Sequence, residues 1–140
     1  MVRVSAIILF VLFVLAAGYS IVLIIVPTIV LEGDFQAITG KSYEEFLSSE
    51  AVQVSLSHIR HMQVFAVTSI VAGFFILFAG FRKAEKWAWW AMLVIGAIAW
   101  GYGAVINLLN GNTLDSVVHL VGLVVFLVAL FLPLRKFMAR

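Results

Sequence analysis

The chemistry available to this chain is concentrated in three histidines and the acids near them. His58 and His61 are three residues apart, and Asp115 and His119 are four apart, spacings that put each pair on one helix face. Neutral imidazoles bind zinc, copper, iron and nickel, and a neighbouring carboxylate either joins the metal or holds the second ring nitrogen. His58, His61 and His119, with Asp115, Asp34 or Glu32 as a fourth group, therefore form a candidate transition-metal site. Haem is a second chemistry: His61 or His58 on one helix and His119 on a facing helix would supply axial ligands. The chain has no cysteine, hence no Cys-x-x-Cys-His attachment, and such a haem would be noncovalent. Proton exchange beside Asp115 is a third possibility. The plain alternative is a set of wet histidines bonding to acids, lipid headgroups or backbone.

Extending the same faces gives the surroundings of such a site. Phe65, Ser69 and Gly73 continue the stripe of His58 and His61, while Gly122, Phe126 and Ala129 continue that of His119. Gly96, Trp100, Gly103 and Asn107 form a third stripe, at spacings of four, three and four. If the stripes face one another, Asn107 meets the histidines, and Trp100 with Tyr102 borders an apolar interior. The result would be a polar mouth over a glycine-lined pocket formed by Asn107, Trp100, Gly103, Phe65, Ser69 and Gly122. The spacing lacks the His-Glu-x-x-His pattern of metalloproteases, and no Gly-x-Ser-x-Gly, P-loop or dinucleotide fingerprint occurs.

The elements that must hold these residues follow from composition. Hydrophobic residues make up 64% of the 140 and charged residues only 11%, against roughly 25% in ordinary soluble domains. Lipid is the expected solvent. Four apolar runs are long enough to cross a bilayer as helices: 4–31, 59–81, 87–109 and 114–134. They are apolar on every side, without the polar alternation of barrel strands. The expectation is an all-α, integral membrane four-helix bundle, one domain over 1–140, with the first run an uncleaved anchor rather than a signal peptide.

Charge sets the orientation. Arg3, Arg82, Lys83, Lys86, Arg135, Lys136 and Arg140 fall on one side, opposed only by Glu85; the other side carries Lys41 and Arg60 against Glu32, Asp34, Glu44, Glu45, Glu50 and Asp115. Basic loops stay in the cytoplasm, which predicts a multi-pass plasma-membrane protein with both termini cytoplasmic. Trp87, Trp89 and Trp90 then suit the inner aromatic belt. The net charge of +2 has this topological explanation and does not indicate nucleic acid.

Pro27 should break the overlong first run, because it has no amide hydrogen and its ring crowds the carbonyl of Leu23. Between the first two spans, Ser42 and Glu45 match a capping box, and Tyr43, Phe46, Leu47 and Val54 give a partial apolar face. That predicts a short extracytoplasmic amphipathic helix. Ser69 with Gly73, Ala97 with Gly101 and Ala99 with Gly103 are small pairs that permit close helix approach, within the bundle or in a homo-oligomer. A transporter is disfavoured: no charge lies near the membrane centre and no repeat is evident.

The string Gly80-Phe81-Arg82-Lys83-Ala84-Glu85-Lys86-Trp87-Ala88-Trp89-Trp90 resembles a turn found in small prokaryotic four-span membrane proteins of DoxX-like architecture. The resemblance covers size, span number and this one turn. It implies an accessory subunit alongside a redox enzyme and assigns no catalytic residue. Together these features point to a noncatalytic or accessory subunit of a larger membrane complex, with an extracytoplasmic ligand or metal site. The competing expectation is a small membrane enzyme or electron carrier acting on a lipid, sterol or quinone.

Overall fold

The computed structural model describes residues 1–46 and 49–139. Among them the regular structure is helical throughout. Helix α1 (Val2–Ile25) and α2 (Thr28–Thr39) are separated at Val26 and Pro27. The break comes where proline removes the amide that would have bonded Leu23, so the chain restarts with Pro27 as the residue before α2. Helix α2 ends at Gly40, whose φ of 70° is the left-handed conformation that glycine adopts without strain.

The connection that follows differs from the expected amphipathic helix at Ser42–Val54. Among its described residues it holds a 3-10 turn, Tyr43–Phe46, and the helix at this end is the earlier segment α2. The capping partner also differs. Glu32 Oε2 accepts the Tyr43 amide at 3.3 Å and the Ser42 hydroxyl at 3.5 Å, while Ser42 Oγ accepts the Glu44 amide at 3.3 Å. A carboxylate reaching over from α2 thus does the work expected of Glu45. Leu47 and Ser48, part of that expected helix, lie outside the described residues, as does Arg140.

Helix α3 spans Glu50–Ala79 and begins well before the apolar run near Ile59, because Ser49 caps it by accepting the Val52 amide at 3.3 Å. A 3-10 turn, Phe81–Lys83, leads to α4 (Lys86–Gly96), a π-helical turn (Ala97–Tyr102) and α5 (Gly103–Leu109), which continue as one rod. Gly111, at φ 78°, turns the chain into α6 (Thr113–Phe131), and α7 (Leu134–Met138) follows Pro133. Three stretches, Val2–Ile25, Glu50–Lys83 and Lys86–Leu109, are long and apolar enough to cross a membrane; Asp115–Phe131 is apolar and shorter.

The long helices pack as a ring: α1 touches α3 and α6, and the α4–α5 rod touches α3 and α6. One end carries α2 and the Asn110–Asn112 turn. The other carries Phe81, whose ring packs at 4.8 Å on Phe137 of α7. The core joins Leu9, Phe13, Leu77, Met92, Phe126 and Leu130. Trp89 belongs to this core and not to an interfacial belt. The residue is 3% exposed, and its indole N–H donates to the Leu130 carbonyl at 2.9 Å, whereas Trp87 and Trp90 are exposed.

Candidate functional site

Two of the three chemical stripes face each other. Gly96, Gly103 and Gly122 are each covered by a ring from the opposite rod: Phe126 over Gly96, His119 over Gly103 and Trp100 over Gly122. A Cβ at any of the three would overlap that ring. Large and minimal residues alternate between the α4–α5 rod and α6, so each ring fills the notch opposite it. The π turn widens the rod at Trp100, where the indole must seat. The space foreseen as a pocket is occupied by Trp100, Phe126 and His119 themselves.

The stripe of His58 and His61 does not join them. Phe65 and Ser69 are exposed on α3, and Ser69 donates its hydroxyl to the Phe65 carbonyl at 3.0 Å. Gly73 receives Phe13 of α1 instead, with a Cβ there meeting the ring at 2.9 Å. Tyr102, expected beside Trp100, is exposed.

His119 is half-buried and its orientation is fixed. Its Nδ1 lies 2.8 Å from the Asp115 carbonyl, which accepts hydrogen bonds only. The Asn107 amide group stands 3.4 Å from the same nitrogen. The Cδ2–Nε2 edge is turned onto Gly103, and the Trp100 ring stands 6.0 Å away at 60°. His61 is exposed, and its Nδ1 is 2.9 Å from the Ser57 carbonyl. His58, also exposed, lines a cleft between α2 and α3. The three histidines occupy three separate settings. Among the described residues no three histidine or acidic side chains converge as a metal would require.

The polar centre at this end is Asn112, which the stripes did not include. Its amide nitrogen donates at 3.1 Å to Asp34 Oδ1 and at 3.1 Å to Asp115 Oδ2, and its oxygen accepts the Asp115 amide at 3.2 Å. One side chain therefore caps α6 and binds α2 to it. A clue was present in the sequence: Asn112 stands immediately before an apolar run, in the N-cap position. Burial pushes the Asp34 carboxyl above its ordinary value, the Asn112 hydrogen bond opposes this, and the nearby Asp115 charge adds to the rise.

The cleft beside this network has a volume of about 530 Å³. Its walls are Leu31, Phe35 and Ile38 from α2 and Val54, Ile59 and Met62 from α3, with Asp34 and Thr39 polar on the α2 side and Ser55 and His58 polar on the α3 side. Both walls follow the helical i, i+3, i+4, i+7 pattern. A comparison with protein-family models, curated proteins and solved structures finds no match to this chain.

Proposed function

We propose that the chain is a four-span plasma-membrane protein with cytoplasmic termini, acting as a noncatalytic accessory subunit whose extracytoplasmic end offers a ligand site. The three long apolar helices support the membrane setting, and α6, at about 28 Å, approaches the ~30 Å of hydrocarbon to be crossed. Large apolar side chains such as Ile7, Leu15, Phe75, Val94 and Val124 face outward, as lipid or a membrane partner requires. Arg82, Lys83, Lys86, Arg135 and Lys136 gather at the end opposite α2, in keeping with the positive-inside bias.

The observation that carries the noncatalytic part is the use made of the polar groups. Asn112, Asp115, His119, His61 and Trp89 all bond to backbone or to one another in ways that fix helices. The glycine-seated rings fill the interior between α4–α5 and α6. The likeness of Gly80–Trp90 to the DoxX-like turn favours the same role, a companion to a larger complex.

Because the chain has no cysteine, topology can be mapped by introducing one at a time. Glu44→Cys should react with an impermeant maleimide on intact cells, and Lys136→Cys only after lysis. Purification in mild detergent should yield the chain with a larger membrane partner. Reversed labelling would overturn the orientation, and quantitative recovery of the lone chain would overturn the accessory role.

A further inference from the structure

The cleft between α2 and α3 combines a greasy floor with one acid and one imidazole on opposite walls. Asn112 occupies Oδ1 of Asp34, and no donor among the described residues bonds Oδ2. The His58 imidazole likewise has no hydrogen bond to the described residues. A volume of about 530 Å³ falls within the range of ligand pockets, roughly 300–1,000 Å³. Apolar walls running along two helices suit a hydrocarbon chain, and the polar pair suits a head with both a donor and an acceptor. This rests on the membrane reading above, under which the cleft opens into the outer leaflet.

We propose that this cleft binds an ethanolamine phospholipid, with the ammonium on Asp34, the phosphate on His58 and an acyl chain against Leu31, Ile38, Ile59 and Met62. Charge selects the head. Glu32, Asp34, Glu44, Glu45, Glu50 and Asp115 outnumber Lys41 and Arg60 at this end, so a net anionic lipid is repelled. A primary ammonium is favoured over a quaternary one for a separate reason. It has N–H groups to donate to Oδ2, giving a charge-assisted hydrogen bond, whereas quaternary ammonium is recognised by cages of several aromatic rings and, among the described residues, Phe35 is the one Phe, Tyr or Trp lining the cleft.

The test is native mass spectrometry of the purified full chain, equilibrated with an equimolar mixture of phosphatidylethanolamine, phosphatidylcholine and phosphatidylglycerol. The wild-type protein should retain phosphatidylethanolamine about tenfold over the other two, the scale of one hydrogen bond to a charge. Asp34→Asn keeps the acceptor for Asn112 and removes the charge, so it should bring the lipids to parity. Ile38→Trp leaves the acid in place and fills the cleft, so it should reduce retention of all three. Equal retention by the wild type overturns the proposal, as does a preference that survives both substitutions. Carbonate extraction separates the two levels: a chain that stays in the membrane pellet without lipid preference overturns the lipid site alone, and a chain released to the supernatant overturns the membrane reading with it.

Discussion

The indole of Trp100 lies over Gly122, in the space a side chain at position 122 would need. The same relation holds for Phe126 over Gly96 and His119 over Gly103, so two rods are held by three reciprocal notches. Closely approaching helices gain dispersion contacts, which drive association where surrounding lipid removes the hydrophobic incentive.

Gly122→Ala should therefore force the indole out of its seat and destabilise the protein by about 1–3 kcal/mol, the usual cost of overpacking. Gly101→Ala is the control. Nothing lies within 4 Å of a Cβ there, and alanine's higher helix propensity should stabilise by about 0.5–1 kcal/mol. Denaturation in micelles, followed by circular dichroism, distinguishes the two signs. Equal stability of the Gly122→Ala variant and wild type would remove the interlock as a stabilising element.

Asn112→Ala removes the N-cap of α6 and both carboxylate contacts together. A lost cap costs about 1 kcal/mol, and the unbonded half-buried carboxylates raise the total to about 2–3 kcal/mol. Hydrogen exchange should accelerate most in α2, which loses its tie to α6. Protection of α2 that is unchanged from wild type would contradict the latch.

The pH dependence follows from Asp34, whose carboxyl is held above the ordinary 3.8 by burial and by Asp115. The folded state then binds this proton more tightly than the unfolded state. Its contribution is fully present below 3.8 and is lost as pH rises through the higher folded value. Stability attributable to this group should fall with rising pH across that window. Asp34→Asn should flatten this part of the profile, and an unchanged slope in denaturation series at successive pH values would rule Asp34 out as its source.

Ser5 is fully buried in α1, and its hydroxyl has no hydrogen-bond partner among the described residues. Replacing it by alanine removes an unsatisfied group from the core, so Ser5→Ala should raise stability by about 1 kcal/mol. By contrast, Trp89→Phe orphans the Leu130 carbonyl and should cost about 1–2 kcal/mol. Melting temperatures of the pair should move in opposite directions.

Helix content, the break at Pro27 and the two facing stripes were legible in the sequence, because hydropathy, proline chemistry and 3.6-residue periodicity are local properties. The packing partner of the α3 stripe was not. Periodicity says that Ser69 and Gly73 lie near one another on α3, but not that Phe13 rather than α6 will fill Gly73. A glycine pattern also reads alike whether it lines a hollow or receives a ring, and here Trp100 and Phe126 supply the rings. Asn112 went unused because its two acidic partners depend on the α2 fold-back. The boundary of α3 was missed for a simpler reason: Ser49 caps a polar first stretch that a search for apolar runs passes over.

The Asn112 contact has a consequence for how the molecule is made. Its partner Asp34 lies 78 residues earlier, so at synthesis rates of about 5–20 residues per second α2 waits roughly 4–16 s before Asn112 is added to the chain. During that interval the first loop exists without its tie. Closure of the α5–α6 hairpin completes the cap of the last long helix and secures the first loop in a single event, making late translation the step that finishes early structure.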